Sequence, residues 1–170
     1  MTTLKPLPTN TLDKYFGDEA LALYTGRVVV TGGEAAHGRA SGVVHSDDGA
    51  LQVDLRLPEA LGGPGGGSNP EQLFAASYAA CFHGVMSLIA MRHGIELHDA
   101  RVEAEATFAR DPADGLFLLS AKLRAHLPGL DRTVAAELVR HAERFCPYAK
   151  MFRQGIEHIV VLAPETQVLP

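Results

Sequence analysis

The chain has 170 residues, which suits one domain or one protomer of a tight oligomer. With 46% hydrophobic and 21% charged residues it is too apolar for a disordered segment, and its net charge of −5 argues against a nucleic-acid partner, which wants a basic face. No uninterrupted apolar run of about 18 residues occurs, so no membrane span is expected. The opening MTTLKPLPTNTLDKYF lacks the basic-then-apolar layout of a secretory signal, which makes a reducing cytoplasm the expected compartment. Two cysteines, Cys81 and Cys146, are too few for a secreted disulfide scaffold. In a reducing compartment they are two buried thiols, a fragment of a metal site, or a redox couple.

Residues 1–23 read as an N-terminal extension, with a short helix predicted from Thr11 to Leu23, and residues 24–165 as a single domain. The β-rich run YTGRVVVT, Tyr24 to Thr31, ends at a Gly-Gly pair. ASGVVHS and ALQVDLRL follow as two further strands, joined by an Asp-Asp-Gly turn at Asp47 to Gly49. In the second of these Leu51, Val53, Leu55 and Leu57 alternate with polar residues, the mark of a half-buried strand. The run LGGPGGGS, Leu61 to Ser68, reads as a flexible connector. It is not a phosphate loop, because no Gly-Lys-Ser/Thr follows.

A helix is predicted next, from Asn69 to His93. Asn69 caps it, Pro70 fits its first turn, Gln72 completes a capping box, and Gly94 ends it. Ala75, Ala76, Ala79 and Ala80 let another backbone approach closely. A helix this apolar on most sides is expected to be buried, partly by a partner subunit in so short a chain. ARVEAEATFAR places Val102, Ala104, Ala106 and Phe108 on one face. After a turn at Asp111 to Gly115, LFLLSAKLRAHL returns with Leu119, Ala121, Leu123 and Ala125 in phase, which predicts a long antiparallel hairpin. A second helix spans Asp131 to Phe145, with Val134, Leu138, His141 and Phe145 on one face, and Pro147 forbids its continuation. IEHIVVL makes a final strand. The order β-β-β-α-β-β-α-β is an α+β pattern, not a doubly wound one.

Cys81 sits in the middle of the first helix. As a small hydrophobe it would simply pack. As a nucleophile it must ionise, and an ordinary thiol with a pKa of about 8.5 is only a few per cent thiolate at neutral pH. It then needs a cation from elsewhere, because no Lys or Arg lies nearby on its own helix before Arg92; Arg27 and Arg39 are candidates. Cys146, beside Pro147 and Tyr148 at a helix terminus, is a plausible second thiol, and two such cysteines can meet as an attacking and a resolving pair. The histidines are scattered and neither cysteine has a CxxC or CxxH partner, so no metal site and no cofactor are expected. Ser77 and Ser87 lack the glycine elbow of a serine nucleophile.

The stretch GGPGGGSNPEQLFAASYAACF resembles the Ohr branch of the OsmC/Ohr family, the organic hydroperoxide resistance and osmotically inducible proteins. FCPYAKMFRQGIEHIVVL resembles the second cysteine segment of that family, and the order of elements matches too. The resemblance runs from about Tyr24 to Leu162. It implies an OsmC-like α+β fold, with antiparallel sheets wrapped around central buried helices in an intertwined homodimer. It also implies a thiol peroxidase with two active sites at the dimer interface, reset by a dithiol, usually a lipoylated protein. By resemblance Cys81 is the peroxidatic thiol, Cys146 the resolving one, Arg39 in HGRAS the activating arginine and Glu71 the carboxylate that orients it. In those roles Arg39 would stabilise the thiolate and Glu71 would hold the guanidinium fork. The aliphatic and aromatic surroundings favour bulky organic hydroperoxides over hydrogen peroxide.

One geometric expectation follows. Glu71 and Cys81 are ten residues apart, about 15 Å of rise on one straight helix, so Glu71, with Arg39, is expected to reach Cys81 of the other subunit. The sequence also departs from the branch. His83 replaces an aliphatic residue and is expected to be packed; the EAAHG loop before Arg39 is longer; Ala149, Lys150, Met151 and Phe152 follow the second cysteine in place of the usual residues. The competing function is a non-catalytic relative in which the dimer cleft holds a small apolar ligand and the thiols are incidental.

Overall fold

The computed structural model describes residues 12–163. Three strands form the first sheet, β1 (Val28–Thr31), β2 (Ser41–Ser46) and β3 (Gln52–Arg56), antiparallel and in chain order. At the start of β2 the strands approach closely enough to require glycine: Gly42 has φ +96°, and a Cβ there would lie 2.6 Å from the Thr31 carbonyl oxygen. The predicted turn joins β2 to β3, with Asp48 accepting from the Ser46 hydroxyl and the Ala50 amide.

The glycine-rich run lies flat along β3 and is not a loose connector. Ser68 exchanges backbone hydrogen bonds with Asp54 and Arg56, 3.0 and 2.7 Å, and Gly65 donates to the Leu57 carbonyl. This seam delivers the chain to α1 (Pro70–Arg92). The capping box is formed: Asn69 Oδ1 accepts from the Gln72 amide at 2.9 Å and Gln72 Oε1 from the Asn69 amide at 3.2 Å. At the other end Gly94, φ +67°, turns the chain while the Ile95 amide reaches back to the Ala90 carbonyl. By length and composition α1 would also suit a membrane, but it packs against the second sheet and the next helix as the core helix of the fold.

The second sheet is the long hairpin β4 (Arg101–Arg110) and β5 (Phe117–His126), paired without slip from Arg101↔His126 to Arg110↔Phe117. Val102, Ala104, Ala106 and Phe108 face α1 half-buried, as the alternation predicts. α2 (Arg132–Phe145) starts at Asp131, whose carboxylate caps the Thr133 and Val134 amides. The core lies where α1 meets α2: Phe82, Met86, Ile89 and Ala90 against Leu138, Ala142, Cys146 and Ala149.

Six expectations are corrected. No α-helix forms over 12–23; those residues are extended or bent and mostly exposed, tied by an Asp13–Arg92 ion pair at 2.9 Å, and Thr11 lies outside the described residues. The first strand begins only at Val28. Pro147 ends α2 but also opens α3 (Pro147–Gln154), because its fixed φ and missing N–H suit the first position of a new helix. The buried face of α2 is Leu138, Ala142 and Cys146, a step round from the predicted one; Val134, His141 and Phe145 are exposed. IEHIVVL is not paired as a strand, since no sheet edge of the described residues meets it; Ile156 is 66% and Leu162 97% exposed. α1 likewise keeps one face uncovered within the chain, Ala76, Ala80, His83 and Gly84, so His83 is exposed and not packed there.

Candidate active site

The structure brings the four residues singled out above together as two pairs. The first is the two thiols. Cys81, half-buried on α1, lies with its Sγ 3.7 Å from the Sγ of Cys146, which is fully buried between α2 and α3. Cys146 is both the last cap of α2 and the first cap of α3, so the bend forced by Pro147 is what aims it at α1. A disulfide needs about 2.05 Å, a closure of less than 2 Å from the observed separation.

Around the thiols stands an aromatic wall. Tyr78, one turn before Cys81, stacks on Tyr148 at 6.2 Å and meets Phe82 and Phe152 edge-on at 6.4 and 5.1 Å. Phe152 also meets Phe74 edge-on at 5.7 Å, which clips α3 to α1. Burial, with the nearby Cys146, pushes the Tyr78 hydroxyl above its ordinary value. The same dry surroundings act on Cys81. Burial first, then Cys146 as a hydrogen-bond and charge neighbour, push the Cys81 thiol up to about 11, against a smaller opposing pull from the Tyr148 backbone amide. Within one chain, then, Cys81 is a protonated thiol at neutral pH, and no guanidinium is among the principal influences on it.

The second pair is Arg39 and Glu71, an ion pair through Nη2 and Oε1, with the carboxylate side chain 15% and the guanidinium side chain 37% exposed. Glu71 projects from the first turn of α1, and Arg39 reaches it from the loop between β1 and β2, where its Cζ lies 3.3 Å from the centre of the Phe108 ring. Arg27, the other candidate cation, pairs loosely with Asp47 at the surface. Among the described residues no cluster of three or more histidine, cysteine or carboxylate side chains is arranged to hold a metal ion. A cavity of about 280 Å³ opens between the end of α1 and α2, but its lining, which includes Ile89, His93, Val134 and His141, contains none of the four residues.

Tyr78, Tyr148 and Phe108 were not singled out by sequence reasoning. The signal for Tyr78 was its spacing of one turn from Cys81; for Phe108 it was its place at the last alternating inward position of β4, the strand that packs on α1.

Two antiparallel sheets around a cysteine-bearing helix, with a second cysteine delivered to the first by a helix bend, define a class of small α+β proteins with a paired-thiol site. Residues 63–161 match the sequence model of the OsmC-like protein family. The organic hydroperoxide resistance protein OhrB of Bacillus subtilis is 40% identical over 81% of this chain and 96% of its own. Its crystal structure superposes with a TM-score of 0.66, over 78% of this chain and 93% of that one. A Legionella pneumophila structure described as an organic hydroperoxide resistance protein OsmC is 41% identical, with a TM-score of 0.69 over 79% of this chain and 93% of its own. The chain belongs to the OsmC/Ohr family.

Proposed function

We propose that the chain is a cysteine-based thiol peroxidase that reduces organic hydroperoxides to alcohols, acting as a homodimer. The observation that carries this is the meeting of the only two cysteines, 65 positions apart in sequence, at 3.7 Å. The names of the relatives, organic hydroperoxide resistance proteins, support the substrate class.

The chemistry runs in three steps. The Cys81 thiolate attacks the outer oxygen of R–O–OH; the O–O bond breaks, that oxygen stays on sulfur as a sulfenic acid, and the alkoxide takes a proton and leaves as the alcohol. The Cys146 thiol then attacks the sulfenic sulfur, the S–S bond forms, and water leaves. A dithiol reductant, of the lipoyl type in this reading, exchanges with the disulfide and restores both thiols while becoming oxidised itself. The aromatic wall of Phe74, Tyr78, Tyr148 and Phe152 offers an apolar surface to a bulky R group.

Activation is the step a single chain does not provide. A thiol pushed up to about 11 needs a cation, and Arg39 is engaged with Glu71 of the first turn of α1, a residue about 15 Å of helix rise from Cys81. In our reading Arg39 and Glu71 of one subunit serve Cys81 of the other, and the uncovered face of α1 and the unpaired 156–162 segment are where the second copy packs.

Titrating the thiols before and after one equivalent of an organic hydroperoxide tests the reading. Both thiols are expected to disappear within seconds without cross-linking of subunits, and Cys146→Ser is expected to stop at a trapped sulfenic acid. Survival of both thiols in a large excess of peroxide would leave them as packing and return the cleft to the apolar-ligand reading.

A further inference from the structure

The loop that carries Arg39 is fastened at both ends. The Glu34 amide donates to the Ser41 hydroxyl at 3.0 Å, and that hydroxyl donates back to the Glu34 carbonyl at 3.3 Å. A short 3-10 turn over Ala35–His37 and the Ala40 amide to His37 carbonyl bond fill the interior, and Ala40 is buried. These bonds fix the backbone at Arg39. They do not fix its long side chain, which keeps substantial rotamer freedom unless its planar head is held.

Two groups hold that head. Glu71 takes one edge of the guanidinium, and the ring of Phe108 lies 3.3 Å beneath its central carbon. An edge contact alone leaves the plane free to rock about the ion pair; a ring against its face removes that freedom. Phe108 is itself backed. It stacks on Phe117 at 4.7 Å and 23°, and the Arg110 guanidinium lies 4.2 Å over Phe117 while donating to the Gly115 carbonyl at 3.1 Å. A guanidinium 3.3 Å above a ring leaves no room for a second ring on the same face, so the four side chains form one column: Arg39, Phe108, Phe117, Arg110. Negative ring faces meet positive guanidinium planes at both ends of it.

We propose that Phe108, backed by Phe117, is a positioning residue for Arg39: an aromatic platform at the end of the β4–β5 hairpin that sets the plane of the guanidinium, so that the N–H groups not used by Glu71 point outward at the reacting sulfur and peroxide. This rests on the peroxidase reading for its consequence, though not for its geometry. An aliphatic side chain at position 108 would fill the space but offer no quadrupole. A misaimed donor is costly because small displacements of a positioning group are felt strongly in rate.

The test compares Phe108→Leu, Phe108→Tyr and Arg39→Ala in the intact protein. Arginine side-chain ¹⁵N–¹H spectra read the platform directly. The Arg39 Nε–H signal, assigned by its loss in Arg39→Ala, is expected upfield through the ring current, moved to an ordinary position by Phe108→Leu and kept upfield by Phe108→Tyr. In hydroperoxide turnover Phe108→Leu is expected to lower kcat/KM about tenfold and to move the thiol ionisation seen in the pH profile upward, with Phe108→Tyr restoring both. In the Arg39→Ala background Phe108→Leu should cost nothing more. An Arg39 signal at an ordinary position in the parent, an unchanged pH profile in Phe108→Leu, or an equal loss in the Arg39→Ala background overturns the proposal. Loss of activity in Arg39→Ala with none in Phe108→Leu defeats the platform and keeps the peroxidase; a parent protein without peroxidase activity defeats the reading, while the spectrum still decides whether the platform holds Arg39.

Discussion

The thiol pair and the Arg39–Glu71 pair each take one member from α1 and differ in almost every physical respect. Cys81 and Cys146 lie in an apolar, aromatic-walled junction of three helices, where burial and the neighbouring Cys146 raise the Cys81 thiol. Glu71 lies at the first turn of the same α1 and Arg39 reaches it from the loop between β1 and β2, an ionic pair partly open to solvent with the guanidinium over the Phe108 ring of the second sheet. In the proposed reaction the dry junction would shield a sulfenic acid, and the second thiol already lies within 3.7 Å. The charge gains from the rim, because burying an arginine and a carboxylate together at the core would cost several kcal/mol per ion in desolvation, so their separation is a physical economy. What the contrast teaches is that one helix can carry a dry, apolar thiol environment in its middle and an ionic one at its start, which in the proposed function only assembly would join.

The sharpest way to break that comparison is to mix subunits. In a mixed dimer of Cys81→Ser and Arg39→Ala chains, activation across the interface leaves one of two sites intact, whereas activation within a chain leaves none. We expect two inactive parents to give an active mixture, measured as hydroperoxide consumption after co-refolding. A dead mixture that still forms dimers would place both halves of the site in one chain.

A smaller effect concerns pH. The assembled protein should ionise Cys81 well below the value of about 11 that burial and the neighbouring Cys146 impose within one chain, and Arg39→Ala should move it back up. A raised thiol pKa means less thiolate at any given pH, so alkylation of Cys81 at pH 7 should slow about 10- to 100-fold in Arg39→Ala and recover as pH rises. Equal alkylation rates across the pH range in parent and variant would show that Arg39 does not act on this sulfur.

The smallest effect tests the scaffold beneath both regions. Asn69→Ala removes the cap that starts α1 beside Glu71, and should cost about 1 kcal/mol in denaturant unfolding while leaving the thiol reaction nearly unchanged. A large loss of activity with that modest loss of stability would mean that the helix start, and not the ion pair alone, aims Arg39.

What could be read from the chain without its fold was whatever depends on neighbours in sequence. The α1 boundaries were legible because a capping box and a terminal glycine are local chemistry, and the β4–β5 hairpin because alternation and a turn signal are local too. The four candidate residues were legible as motifs. What sequence could not decide was the face of α2 that is buried, because several side chains of similar polarity circle that helix and only contact with α1 chooses among them. Nor could it decide the second use of Pro147, which ends one helix by its missing N–H and opens the next for the same reason. IEHIVVL has the composition of a strand, yet a strand exists only where another edge supplies its hydrogen bonds, and none of the described residues does so. Tertiary structure alone brought Cys146 to Cys81 and Phe108 beneath Arg39, because distances between residues far apart in sequence are set by packing and not by propensity.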